Sequence, residues 1–94
     1  MSLDAVRNEI REIDERIIDL IAERQRLAAR IVRLKQEEGL PIRDGPQRKA
    51  VLDRAFTYAV ESRIDPVAVR SIFELLIDMN EERQRGCSGD GNLP

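Results

Sequence analysis

This chain has no histidine and no tryptophan, and its only aromatic residues are Phe56, Tyr58 and Phe73. The missing histidine removes the imidazole general base, any Ser-His relay and the usual histidine-rich metal site. Cysteine is limited to Cys87, which has no partner for an internal disulfide. No apolar stretch approaches the ~20 residues of a membrane span, and the start of the chain has no signal-type apolar run. The expectation is a cytoplasmic protein with no membrane association. Few aromatics beside 36% charged residues argue against a sandwich or barrel, whose strands favour aromatic and β-branched side chains. The net charge is -2, with basic residues interleaved among acidic ones, which gives no case for nucleic acid. Chemistry is left to carboxylates, amides, lysines and guanidinium groups.

What is present is helical patterning. From Leu3 to about Glu38 there is neither Pro nor Gly. Apolar residues recur at Leu3, Val6, Ile10, Ile13, Ile17 and Leu20, then at Leu27, Ile31 and Leu34. Steps of three and four mark one continuous amphipathic helix. Ser2 or Asp4 caps its start, and Gly39 followed by Pro41 ends it. Such a helix is roughly 50 Å long, whereas a compact domain of this size has a radius of gyration of only about 12–13 Å. Two further helices cannot cover that rod, so a second copy is expected along it.

The segment Gly39 to Gly45 reads as a loop. Asp44-Gly45-Pro46 and Asp65-Pro66 are cap-then-proline helix starts. A second helix is predicted to about Ser62, with Ala50, Val51, Ala55, Phe56, Ala59 and Val60 as its apolar positions. A third is predicted to about Arg85, turning Val69, Ile72, Phe73, Leu76 and Ile77 inward. The expected domain spans residues 1–85, and the Gly-rich residues 86–94 read as a flexible tail. The fold class is therefore all-α, three helices per chain in an intertwined helical homodimer.

Polar residues interrupt the apolar pattern in two places. The stripe on helix 1 skips a beat at Arg24, and Arg24, Ala28, Ile31 and Lys35 fall on one face, since eleven residues make almost three turns. On helix 3 the stripe through Phe73 and Leu76 or Ile77 turns polar at Asn80 and Gln84. Taken singly, each has a plain explanation. Arg24 pairs with Asp19 or Glu23, Lys35 complements the helix dipole, and the two amides are solvated. Taken together, cations and amides meeting between helices 1 and 3 suit an anionic ligand, and arginine grips a carboxylate bidentately.

The residues Leu3-Asp4-Ala5-Val6-Arg7-Asn8-Glu9-Ile10-Arg11-Glu12-Ile13-Asp14, Leu20-Ile21-Ala22-Glu23-Arg24 with Lys35 beyond, Pro41-Ile42-Arg43-Asp44, and Ile72-Phe73-Glu74-Leu75-Leu76-Ile77 with Asn80 and Gln84 stand in a specific order. In that order and spacing the chain resembles the all-helical, type II chorismate mutases over residues 3–85, and in particular their short monofunctional members. The resemblance implies a homodimer with sites shared between chains and a small dicarboxylate substrate. It implies neither cofactor nor metal, because the rearrangement of chorismate to prephenate moves no proton and needs no nucleophile.

By the same resemblance, Arg24 binds one substrate carboxylate, and Arg7 binds the other from the partner's first helix. Arg7 lies seventeen residues before Arg24, which puts the two about 100° apart around the helix and lets one helix serve two sites. Lys35 and Gln84 donate to the ether oxygen of the breaking bond, while Asp44 and Asn80 sit near the substrate hydroxyl and a carboxylate. The chain departs from the family where helix 2 opens. Relatives usually carry an Arg-Glu pair, the arginine assisting a carboxylate and the glutamate taking the hydroxyl. In ungapped register the pair becomes Gln47 and Arg48; with Gly45 as an insertion, it becomes Arg48 and Lys49. Either way the glutamate is missing. Two rivals remain: an isochorismate pyruvate-lyase on the same scaffold, and a non-catalytic helical dimerisation or regulatory module.

Overall fold

A computed structural model of the chain describes residues 2–41 and 45–88, with side chains as far as residue 81. Three helices make up the described residues: α1 (Leu3–Glu38), α2 (Gly45–Glu61) and α3 (Pro66–Ser88), with no strand among them. The ends follow from local chemistry. Extended Ser2 caps α1, its Oγ accepting from the Ala5 N–H at 3.0 Å. At the other end Gly39 adopts φ 71°, in the left-handed region that glycine enters without a Cβ penalty. That turn lets the Leu40 N–H reach the Lys35 carbonyl at 2.8 Å. Asp65 caps α3, its Oδ1 accepting from Val67 N–H at 3.0 Å and Ala68 N–H at 3.3 Å.

The helix bounds differ modestly from the sequence expectation. α2 begins one residue before Pro46 and stops at Glu61, and α3 runs past Arg85 to Ser88. Arg63, just beyond α2, has φ 61°, a conformation that closes the turn through the Ile64 N–H to Ala59 carbonyl bond of 3.1 Å.

α3 packs against both other helices, whereas the α1 and α2 backbones do not meet among the described residues. Close approach of α2 and α3 depends on small residues. Ala55 and Ala59 lie one turn apart on the same face of α2 and are buried, Ala59 to 2% exposure. On α1 the covered face is not the apolar stripe. It runs through half-buried Ile21, Gln25 and Ala28 to buried Val32. The stripe itself faces outward: Leu3, Ile10, Ile13, Ile17 and Leu20 are 45–64% exposed, and Leu27, Ile31 and Leu34 are exposed as well. Ile72, expected inward, is also exposed, because the face of α3 that packs inward carries Phe73, Leu76 and Ile77 instead.

The result is an elongated molecule. Its longest dimension is 55 Å and its radius of gyration is 16.5 Å, against the roughly 13 Å of a compact domain of this length. The first half of α1 projects clear of α2 and α3 with its apolar side uncovered. That leaves an apolar patch of the kind that marks an interface.

Candidate active site

The gap between α1 and α2 is floored by α3. There a cleft of 290 Å³ opens, walled by Arg24, Leu27, Ala28, Ile31 and Lys35 of α1 and by Gln47, Arg48, Val51 and Arg54 of α2. Ile77, Asn80 and Glu81 of α3 complete it. The four residues expected on one face of helix 1 thus share one wall, and five expected site residues, Arg24, Lys35, Gln47, Arg48 and Asn80, meet in one place. Of the two registers left open for helix 2, Gln47 and Arg48 both line the cleft. Lys49 turns outward to Asp53 at 2.7 Å.

Electrostatics make the cleft a receptor for anions. The described lining carries four cations and one carboxylate, in a chain whose net charge is -2. No carboxylate among the described residues is within ion-pair distance of Arg24, so the expected Asp19 or Glu23 partner is not taken. Its guanidinium instead stands over the Phe73 ring, 5.9 Å from the centroid. Partial burial lowers the Arg24 pKa below the guanidinium's ordinary value, and the neighbouring charge of Arg54 pushes it the same way. Both effects are costs of holding a cation there, and an incoming anion relieves them.

Arg48 is handled differently. Its Nη2 reaches Asp78 Oδ1 at 3.2 Å and its Nη1 reaches Glu81 Oε1 at 3.5 Å, which ties α2 to α3 beside the cleft. Asn80 supplies the clearest sign of an absent partner. It is only 8% exposed, and its Oδ1 is buried with nothing to accept from among the described residues. A buried unsatisfied amide oxygen costs roughly 1–3 kcal/mol, which a bound molecule with a donor recovers.

Three expected residues stand apart. Arg7 is exposed on the free half of α1, about 25 Å along the helix axis from Arg24 at 1.5 Å per residue. It therefore does not join the cleft of its own chain. Gln84 lies on α3, one turn beyond Asn80, with its side chain outside the described set, and Asp44 lies outside the described residues. Sequence reasoning missed Arg54 and Glu81. A signal for both was present: Arg54 is three residues from Val51 on α2, and Glu81 is four from Ile77 on α3, so each shares a face with a residue of the cleft.

A three-helix chain with a cationic, amide-lined cleft is the setting in which the comparisons with known proteins fall. The family model described as "Chorismate mutase type II" matches residues 6–85. The chain belongs to the type II chorismate mutase family. It is 36% identical over 83 residues to the chorismate mutase of Methanocaldococcus jannaschii, an alignment covering 88% of this chain and 84% of that protein. It is also 30% identical over 74 residues to the bifunctional chorismate mutase/prephenate dehydratase of Escherichia coli K12, covering 79% of this chain and 19% of that one. A bifunctional relative from Buchnera aphidicola of Acyrthosiphon pisum is 30% identical over 84 residues, 89% of this chain and 22% of that protein. The short relative is thus matched over most of its length, and the bifunctional ones over about a fifth. The regular structure of the described residues is all helical, and no helix there is long and apolar enough to cross a membrane.

Proposed function

We propose that this chain is a chorismate mutase that converts chorismate to prephenate in aromatic amino-acid biosynthesis, working in the cytoplasm as an intertwined homodimer. One observation carries the reading: Arg24, Lys35, Gln47, Arg48 and Asn80, drawn from all three helices, converge on one 290 Å³ cleft rich in positive charge. The reaction is a unimolecular pericyclic rearrangement, so the protein's task is to hold a flexible diacid in its compact chair-like form. Arg24 grips one carboxylate, and Arg7 of the partner subunit grips the other. Negative charge grows on the ether oxygen as the C–O bond breaks. Lys35 and Gln84 meet it there, stabilising that state more than the ground state. Asn80, Asp44, Gln47 and Arg48 complete the grip on the hydroxyl and a carboxylate. The working domain on this reading is residues 1–85.

The dimer rests on the uncovered stripe of α1 and on a second hollow of 610 Å³ behind the cleft. Val51, Ala55, Tyr58, Ala59, Ile64, Val69 and Phe73 line it beside Arg24 and Arg54. A partner's α1 laid into that hollow buries its own stripe and carries its Arg7 towards Arg24. One assay tests the function. Purified protein is offered chorismate and, separately, isochorismate, and the products are identified. Prephenate from chorismate is the expected result. Pyruvate release from isochorismate, or no turnover of either by an intact helical dimer, overturns the assignment in favour of a lyase or of a binding module.

A further inference from the structure

We infer that Glu81, held on the wall of the cleft by Arg48, accepts the hydrogen bond of the substrate's ring hydroxyl and so selects the substituent at that ring position. The inference rests on the chorismate mutase reading. It begins from an anomaly in the cleft. A pocket built for a diacid carries one carboxylate, Glu81, among its described lining residues. A carboxylate there repels a dianionic substrate unless its charge is compensated and its lone pairs are used. Arg48 provides the compensation: its Nη1 lies 3.5 Å from Glu81 Oε1, and Asp78 on the outer side fixes the same guanidinium at 3.2 Å.

The use follows from the substrate's hydrogen-bonding inventory. Chorismate has two carboxylates, an ether oxygen and one hydroxyl, so the hydroxyl is its only donor. Three described side chains on the cleft can accept: Gln47, Asn80 and Glu81. The two amides can also donate, and rotation of the amide turns the N–H₂ of either towards an anionic group. An ionised carboxylate can only accept. Of the three, Glu81 is therefore the one that a diacid tolerates solely opposite its hydroxyl. A carboxylate offers about four lone-pair positions, so contacts to neighbouring side chains and one to a substrate hydroxyl can be held together. Asn80, the residue before it, is more than nine-tenths buried and has an unsatisfied Oδ1. This end of the cleft is thus incomplete until something polar occupies it.

An acceptor carboxylate at that position has a consequence that a purely structural ion pair lacks. It favours a positively charged donor over a neutral one. The test compares chorismate with the analogue carrying an amine, protonated at neutral pH, in place of the ring hydroxyl. The unaltered enzyme should rearrange both. Glu81→Gln keeps the shape and an acceptor for Arg48 but removes the charge. It should lower kcat/KM for the amine relative to chorismate by about ten- to a hundredfold, the range of a charge-assisted hydrogen bond. Asp78→Asn, which weakens the same arginine's tether away from the cleft, should leave that ratio unchanged. Equal losses on both substrates in Glu81→Gln, or an unaltered enzyme that rearranges chorismate and ignores the amine, overturn the Glu81 assignment alone. Failure of the unaltered protein to rearrange chorismate overturns the function and this assignment with it.

Discussion

A mixing experiment tests whether each active site is shared between two chains. Arg7 is exposed on the projecting half of α1 and lies about 25 Å along the axis from Arg24, too far to serve its own chain's cleft. Lys35 lines that cleft directly. Arg7→Ala and Lys35→Ala homodimers should each lose about 10²–10³ in rate, the usual cost of one donor aimed at developing or fixed charge. Arg7 is exposed and Lys35 is only half-buried, so both variants should remain helical by circular dichroism. When the two variants are unfolded, mixed in equal amounts and refolded together, half of the two-fold dimers pair one of each. In such a dimer one site carries both defects and the other carries neither. Activity should then return to about a quarter of the unaltered level per chain, well over tenfold above either parent. Chorismate consumption followed by absorbance reads it directly. A mixture whose activity stays at the average of the two parents would refute the sharing of sites and with it the role given to Arg7.

The exposed stripe predicts the energetics of the dimer. Ile13 and Ile17 are 45% and 49% exposed in the single chain, so replacing both with Gln should remove about 3–6 kcal/mol over the two chains and weaken association by roughly 10²–10⁴. Sedimentation equilibrium measures this, and an unchanged dimer counts against the interface. Gln47 lines the cleft as a neutral amide, and Gln47→Arg should lower KM by roughly five- to thirtyfold, the difference between a neutral and a charge-assisted contact to a carboxylate. A raised KM in steady-state kinetics would show that the α2 wall does not face a carboxylate. Arg63 sits at φ 61°, and Arg63→Gly should stabilise the fold by about 1 kcal/mol, raising the midpoint of thermal unfolding by several degrees at fixed protein concentration. A lowered midpoint would mean that the Arg63 side chain contributes more than its backbone costs.

Much of this was legible in the sequence because helical period is a strong signal over long elements. The 36 residues of α1 carry a three-four repeat interrupted only at Arg24, and Ser2, Gly39 and Asp65 mark boundaries through chemistry that needs no tertiary context. The same period exposed Arg24 and Lys35, since a cation in an apolar stripe stands out against its neighbours. Less legible was which of two faces a helix buries in its own chain. The stripe of α1 is the stronger pattern, yet the chain's own α3 takes the weaker face through Ala28 and Val32. Small residues allow close approach there, and the large aliphatics are left for another surface. Charges gave the least signal. Arg54 and Glu81 share helix faces with Val51 and Ile77, but in a chain that is 36% charged so do many solvated residues, and the meeting of three helices is what separates them. That meeting also gives the altered α2 opening its physical sense. Arg48 stands beside a cleft whose described lining has an excess of positive charge, and α3 answers it with Asp78 and Glu81 at 3.2 and 3.5 Å. Because these two acids lie three residues apart, one on the cleft wall and one outside it, the ion pairs both anchor the arginine and hold a carboxylate on the cleft wall, where the role proposed for Glu81 needs it.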